Sequence, residues 1–245
     1  GAVFAPGSRT HILAISAAEA RRYQAAWGTP DARFHYLPPG ITEDRRAGPD
    51  AAELRASLRA EFGIADDEFL LLAIGSGFRM KGLDRSLRAL AALPADVRAR
   101  TRLIAIGRDK PGEYQRLARR LGVTDRFNIL PGRDDVPRFL QGADLLLHPA
   151  RYENTGAVLI EAVVAGLPVL VTDVCGYAEH VAASGCGRLL GAPFSQAECN
   201  AALAGALTGS ERPAWRAAGI AYGQTHDLWH LHARAADAIE AVVAR

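Results

Sequence analysis

The sequence predicts an α/β fold, a doubly wound parallel sheet with helices on both faces. Short apolar runs recur along the chain, and they are too continuously apolar for a sheet with one solvated face. Helical patterns lie between these runs; Leu83, Leu87 and Leu90, for example, recur at helical spacing. Since 49% of the 245 residues are hydrophobic, the chain can also fill a large core.

The expected elements follow in chain order. Two short strands, at 11–16 and 33–37, flank a helix at 17–27. The main sheet is expected to contain strands at 69–74, 102–106, 127–130, 144–148 and 168–171. Three closing helices are expected at 196–207, 214–222 and 231–243. Because doubly wound sheets bind ligands at the carboxyl ends of their strands, the residues after each strand are the candidates for function.

The chain is expected to divide at Pro38-Pro39-Gly40, a segment typical of a hinge, although an ordinary surface turn has the same composition. Residues 1–40 are then the tail of another domain, 41–222 the main α/β domain and 223–245 a closing helix. The sequence starts with Gly1, and its single methionine is Met80. We therefore expect it to be part of a longer protein.

Composition excludes several function classes. A net charge of +2 with 23% charged residues gives no basic field for nucleic acid. The three cysteines (Cys175, Cys186 and Cys199) lack CxxC spacing, so we expect neither a disulfide framework nor a zinc site, and a reducing, cytoplasmic setting is favoured. The longest apolar stretch is interrupted by Glu161 and Pro168, and no membrane span is expected.

Glycines and basic residues follow the strand at 69–74, in the sequence Gly-Ser-Gly-Phe-Arg-Met-Lys-Gly at 75–82. A glycine turn at a helix start presents free amides, here that of Gly77, and Arg79 and Lys81 add positive charge suited to phosphate. The loop matches neither GxGxxG nor a P-loop, and a plain strand-to-helix turn is the alternative. Gly107 and the pair Gly132-Arg133 follow other strands and suggest loops around a nucleobase, although each alone is more typical of a turn.

Two carboxylates bracket the helix start that follows the strand at 144–148. Glu153 lies in the loop, Glu161 lies on the helix, and helical rise predicts a separation of about 12 Å. Paired glycosidase carboxylates are about 5 to 9.5 Å apart, so hydrolysis is disfavoured. The spacing suits a nucleotide sugar, with hydroxyls bound at both ends and the amides of Thr155 and Gly156 facing the phosphates. In the alternative interpretation, Glu153 is only a charge at the helix N-terminus and Glu161 is only a surface residue. We disfavour it because Glu161 has apolar neighbours on all sides.

Histidines give a weaker signal. His148 ends a strand at the rim of the sheet, where a structural role is the commoner one. His226, His230 and His232 lack an acidic partner at zinc spacing, so no metal site is assigned.

Glu153 to Glu161 resembles the E-x7-E motif of glycosyltransferase family 4, and the string Glu-Ala-Val-Val-Ala-Gly-Leu-Pro-Val-Leu from Glu161 is similar to that family. Longer strings, at 37–41, 81–86, 107–111, 143–150 and 174–178, resemble the glucosyltransferases of lipopolysaccharide core assembly within it. The resemblance runs through nearly the whole chain. It implies a GT-B fold, of which this chain is the Rossmann-like C-terminal domain with a remnant of the N-terminal acceptor domain.

The resemblance also implies an activity: retaining transfer of a hexose, glucose above all, from UDP-glucose to an inner-core heptose of lipopolysaccharide. No metal and no other cofactor is implied, and the setting is the cytoplasmic face of the inner membrane, with membrane association through the N-terminal domain. A fragment that binds the UDP-sugar without transferring it is the alternative. A dinucleotide oxidoreductase is disfavoured by the failed GxGxxG and by the lack of an acidic residue about twenty positions on.

Residue roles follow from the same resemblance. Glu153 would hold the donor hexose, Thr155 and Gly156 the sugar and phosphate, and Glu161 the ribose. Lys81 would neutralise the leaving diphosphate, and Gly132-Arg133 would shape the uracil pocket. Relatives carry a basic residue immediately before this lysine where this chain has Met80, and Arg79 is expected to substitute for it.

Overall fold

The computed structural model describes residues 2–244, and six parallel strands form its main sheet in the order β5-β4-β3-β6-β7-β8. A second sheet pairs β1 with β2, also in parallel. The strands are β1 (Ile12–Ala14), β2 (Phe34–Tyr36), β3 (Phe69–Ile74), β4 (Thr101–Ile106), β5 (Phe127–Leu130), β6 (Leu145–His148), β7 (Val169–Thr172) and β8 (Gly187–Leu190). The predicted doubly wound parallel sheet is confirmed.

Helices follow the strands and cover the sheet. They are α1 (Ala17–Trp27), α2 (Ala51–Glu61), α3 (Leu83–Ala91), α4 (Ala95–Ala99), α5 (Gly112–Leu121), α6 (Val136–Gly142), α7 (Ala157–Val164), α8 (Ala178–Ser184), α9 (Gln196–Thr208), α10 (Arg212–Thr225) and α11 (Leu231–Val243). No helix of the described chain is long and apolar enough to cross a membrane.

The core lies on both faces of the sheet because side chains alternate along each strand. In β3, Leu70 and Leu72 pack on one face with α2, α6 and α7, whereas Leu71 packs on the other with α3, α5 and α9. All three leucines are fully buried. The continuous apolar runs seen in the sequence thus reflect burial on two sides.

The strand order reverses between β3 and β6. The chain moves outward from β3 through β4 to β5, then returns to place β6 on the other side of β3 and continues to β7 and β8. Ligands of doubly wound sheets bind at such a switch point, outside the carboxyl ends of the two strands. The loops that follow β3 and β6 therefore form the candidate site.

The segment before the main sheet is tied to the end of the chain. The amides of Gly40 and Ile41 donate to the Leu228 carbonyl at 2.9 and 3.1 Å, and the Arg46 guanidinium stacks on Trp229, 4.1 Å from the ring centroid. The expected boundaries at 40 and 222 stay predictions; residue 222 lies inside α10.

The sequence did not predict β8, an edge strand that begins with Gly187. A Cβ on Gly187 would lie 2.0 Å from the Val169 carbonyl oxygen, so only glycine allows the strand to approach β7 this closely. A short run of Gly-Arg-Leu-Leu has too weak an apolar pattern to identify a strand.

Candidate active site at the sheet switch point

Lys81 and Glu153 meet at the switch point. Lys81 lies in the loop after β3 and Glu153 in the loop after β6, and the lysine Nζ forms an ion pair with the glutamate Oε2. Both side chains are about four-fifths buried, with exposed fractions of 19% and 18%. The structure thus joins two residues that the sequence indicated separately, 72 positions apart.

The loop between β3 and α3 is held by Asp109, from the loop after β4. Its carboxylate accepts hydrogen bonds from the amides of Gly77 at 2.8 Å and Phe78 at 3.3 Å. The expectation that the Gly77 amide is free is therefore wrong for this structure. Asp109 already occupies the position that an anion would take at that amide, so Lys81 is the group of this loop that faces the site.

Gly107, at the end of β4, is buried beneath the same loop. A Cβ there would lie 2.6 Å from the Phe78 ring, so the glycine lets the ring pack on the strand end. Its predicted contact with a nucleobase stays a prediction.

The loop between β6 and α7 is held from the α3 side. Arg85 donates to the carbonyls of Pro149 and Ala150, both at 3.0 Å, and the Arg151 amide donates to the Met80 carbonyl at 2.7 Å. These bonds fix the backbone that leads to Glu153 against the loop that carries Lys81.

The segment after β7 holds the loop from the other side. The Gly176 amide donates to the Glu153 carbonyl at 3.2 Å, and the Tyr177 amide donates to the Thr155 carbonyl at 2.8 Å. A Cβ on Gly176 would lie 2.0 Å from the Asn154 carbonyl oxygen. The close approach of the two backbones therefore requires glycine at position 176.

Helix α7 begins at this loop with no side-chain cap. Gly156 has a left-handed backbone, with φ of 83°, and turns the chain into the helix. The first amides of an α-helix have no intrahelical acceptors, so the start of α7 offers donors and the positive end of a helix dipole. Thr155 and Gly156 stand at that end, as the sequence predicted.

Glu161 lies in the second turn of α7 and has the charged partner that its apolar surroundings required. The Arg45 Nε is 3.7 Å from its Oε2, and both side chains are 20% exposed. Burial raises the pKa of Glu161, and Arg45 opposes this effect. Since the helix begins only at Ala157, helical rise applies to half of the Glu153–Glu161 segment, and the separation of about 12 Å stays a prediction.

Glu153 is strongly stabilised as a carboxylate. Its interaction with His148 is the largest cause, burial opposes it, and Lys81 adds to it, so that the pKa falls from 4.5 to about 2. The His148 Nε2 lies 3.7 Å from the Glu153 Oε2, and the imidazole is 1% exposed. Burial lowers the pKa of His148, which keeps the ring neutral near pH 7.

Arg79 is exposed and lines a shallow cavity with Arg88 and Tyr114, a cavity to which neither Lys81 nor Glu153 contributes. Its predicted role beside the lysine stays a prediction.

Arg133 makes two hydrogen bonds to Asp135, at 2.7 and 2.8 Å, and lies over the Phe139 ring. The exposed Gly132 faces the side chain of Arg108. The predicted uracil pocket at 132–133 stays a prediction.

Sequence reasoning missed Arg45 and Asp109 as parts of the site and gave His148 a structural role. Arg45 belongs to the polar segment after the proposed hinge, and no local pattern links it to Glu161. Asp109 was detectable in principle, because β3 and β4 are consecutive apolar runs whose carboxyl ends adjoin in a parallel sheet. In residues 2–244 no cluster of three His, Cys, Asp or Glu side chains could hold a metal ion.

The sequence pattern of the family described as glycosyl transferases group 1 matches residues 55–220. Lipopolysaccharide glucosyltransferase WaaG of Escherichia coli (strain K12) is 43% identical over 239 residues, which are 97% of this chain and 64% of that protein. A D-inositol 3-phosphate glycosyltransferase of Nocardia farcinica (strain IFM 10152) is 31% identical over 188 residues, 73% of this chain and 41% of that protein. The chain thus spans less than two thirds of the length of these relatives.

Solved structures of other proteins share the fold of this chain. A crystal structure of WaaG, a glycosyltransferase involved in lipopolysaccharide biosynthesis, superposes with a TM-score of 0.89 at 42% identity, over 97% of this chain and 64% of that one. HepE of Anabaena in complex with UDP-glucose superposes with a TM-score of 0.80 at 22% identity, over 96% of this chain and 65% of that one, a likeness of fold alone. The predicted GT-B-type domain, with a small two-stranded sheet beside it, is confirmed.

Proposed function

Since this chain belongs to the group 1 glycosyltransferases, we propose that it binds a UDP-sugar and supplies the donor side of a retaining hexosyl transfer. Glucose is the proposed sugar, and an inner-core heptose of lipopolysaccharide is the proposed acceptor. The 43% identity to the E. coli lipopolysaccharide glucosyltransferase supports both assignments. Because the chain spans 64% of that relative, activity of the whole protein is part of the proposal.

The observation that carries the proposal is the meeting of Lys81 and Glu153 at the switch point, beside the uncapped start of α7. A lysine and a set of helix-terminal amides on one side of a crevice form an anion site. A carboxylate next to that site accepts hydrogen bonds from sugar hydroxyls. The pair therefore offers one group to a diphosphate and another to the hexose attached to it.

Each residue then has a role in the transfer. Lys81 neutralises charge on the diphosphate as the glycosidic bond to it breaks, when a positive group fixed in place lowers the barrier most. Glu153 holds hexose hydroxyls, while Thr155 and Gly156 contact the sugar and phosphate. Glu161 binds the ribose hydroxyls, which replace or join Arg45 as its partners. Gly107, Gly132 and Arg133 lie at the neighbouring strand ends, where the base would extend.

The setting follows from the proposed acceptor. The resemblance to lipopolysaccharide core glucosyltransferases implies the cytoplasmic face of the inner membrane, so we propose that the protein acts there as a peripheral enzyme. Membrane contact is assigned to an N-terminal acceptor domain, of which residues 1–40 are the proposed end.

Calorimetric titration with UDP and UDP-glucose tests the donor site. Glu161→Gln is expected to weaken the binding of both ligands, because both carry ribose. Glu153→Gln is expected to reduce only the preference for UDP-glucose over UDP, because UDP lacks the hexose. The opposite pattern would exchange the two roles, and unchanged binding in both variants would refute the site. Glu240→Gln, on an exposed position of α11, is the matched control.

A second candidate function is binding of the UDP-sugar without transfer, since the residues described supply groups for the donor. Incubation with UDP-glucose and a heptose-terminated acceptor separates the two candidates, since only transfer releases UDP in proportion to acceptor. A thermal-shift comparison of UDP with NAD addresses the oxidoreductase alternative, which predicts stabilisation by NAD.

A further inference from the structure

His148 carries an unused hydrogen-bonding group that points to Glu153. Its Nε2 is buried and has no hydrogen-bond partner in the described part of the chain. A buried polar nitrogen without a partner is costly and uncommon, so it requires an explanation. The Glu153 Oε2, the same oxygen that pairs with Lys81, lies 3.7 Å from it.

Lys81 and His148 thus compete for one carboxylate oxygen. The lysine Nζ pairs with this oxygen, and the imidazole Nε2 lies 3.7 Å from it, beyond the usual hydrogen-bond length. A diphosphate next to Lys81 would draw the ammonium away, because phosphate oxygens carry more charge than one carboxylate. Glu153 would then have acceptor sites both for hexose hydroxyls and for a protein donor in place of the lysine.

His148 is placed to be that donor. The loop around Glu153 is fixed by the amides of Gly176 and Tyr177 and by Arg85, so only the carboxylate side chain is free to turn. A movement of less than about 1 Å brings its oxygen to the usual hydrogen-bond length of about 2.9 Å from Nε2. The neutral ring must then carry its proton on Nε2, since a carboxylate only accepts.

We propose that His148 is a positioning residue, which holds the Glu153 carboxylate toward the donor hexose through its Nε2–H once a diphosphate has taken Lys81. His148 touches neither sugar nor phosphate in this scheme; it acts through Glu153. The inference rests on the proposed function, in that it requires a nucleoside diphosphate sugar in the site.

Three variants of His148 test the proposal by calorimetry with UDP and UDP-glucose. His148→Phe keeps the ring volume and lacks the N–H, and it is expected to weaken UDP-glucose binding about tenfold while changing UDP binding less than about twofold. His148→Gln restores a side-chain N–H and is expected to recover most of the loss. His148→Leu provides a second variant without a donor if the phenylalanine prevents folding. His230→Phe is the matched control, because His230 also pairs with a carboxylate, that of Asp227 at 2.8 Å, on the protein surface.

A double variant separates positioning from a general packing role. With Glu153→Gln already present, His148→Phe is expected to cause no further loss of UDP-glucose affinity, because its effect passes through the missing carboxylate. Additive losses, or equal losses of UDP and UDP-glucose affinity, would overturn the proposal. If the unaltered chain binds UDP-glucose more tightly than UDP and His148→Phe leaves that preference intact, only the role of His148 fails. If the unaltered chain binds neither ligand, both the proposed function and the role of His148 fail.

Discussion

Replacement of Glu153 by glutamine removes a carboxylate whose pKa the site lowers from 4.5 to about 2. A shift of that size corresponds to about 3 kcal/mol of preference for the charged form in the folded protein. Since the side chain is 18% exposed, screening by solvent reduces the value to about 2 kcal/mol. The folded-state pKa lies below the unfolded one, so this stabilisation is fully present above pH 4.5 and is lost as the pH falls toward 2.

Urea unfolding of the unaltered chain and of Glu153→Gln, from about pH 5 down to about pH 2.5, measures this contribution. Near pH 5 we expect the free energy of unfolding of the unaltered chain to exceed that of Glu153→Gln by about 2 kcal/mol. This difference should shrink as the pH falls and Glu153 becomes protonated. The control Glu240→Gln, at an exposed position, should show a difference near zero at each pH. If the difference in free energy of unfolding stays constant across this pH range, Lys81 and His148 do not stabilise the ionised carboxylate.

Three further predictions concern neighbouring groups. Lys81→Ala is expected to weaken UDP binding by at least about tenfold and to leave uridine binding unchanged in a calorimetric comparison, because only UDP carries phosphates. Gly176→Ala should destabilise the fold by about 2 kcal/mol or more in thermal unfolding, since its Cβ would overlap the Asn154 carbonyl, whereas Gly205→Ala, in open space on α9, should stabilise it by up to about 1 kcal/mol. Asp109→Ala leaves two loop amides without an acceptor and should cost about 1–2 kcal/mol in urea unfolding.

Much of the main sheet could be predicted because its strands are buried on both faces. A run such as β3 is apolar at nearly every position, and the expected range of 69–74 matches the structure. The expected range for β5, at 127–130, matches as well. Where a strand lies at an edge and glycine replaces apolar side chains, as in β8, the same pattern is too weak, and the strand was missed.

The site was predictable residue by residue but not as a set of contacts. Lys81 and Glu153 each follow a strand, a position where doubly wound sheets carry function. Their pairing depends on the reversal of strand order that puts β3 beside β6, which no local pattern encodes. The sequence likewise gives no reason for Arg45 to lie near Glu161, since that contact depends on how the segment after residue 40 crosses α7.

The environment of His148 is a part of the candidate site that could not be predicted from the sequence. A histidine at a strand end is usually structural, and burial at 1% exposure agrees with that interpretation. Only the three-dimensional structure shows that its Nε2 has no hydrogen-bond partner within residues 2–244 and lies 3.7 Å from the Glu153 carboxylate. The positioning role proposed for His148 therefore depends on the environment of one nitrogen atom.

The central claim is that Glu153 and Glu161 bind the two ends of one UDP-sugar, with Lys81 between them on the diphosphate. A crystal structure of the chain with UDP-glucose tests it most directly. We predict carboxylate oxygens of Glu153 within hydrogen-bond length of hexose hydroxyls, those of Glu161 at the ribose, and Lys81 released from Glu153 onto the phosphates. A ligand bound away from the crevice between β3 and β6, or a diphosphate in place with Lys81 still paired to Glu153, would contradict it.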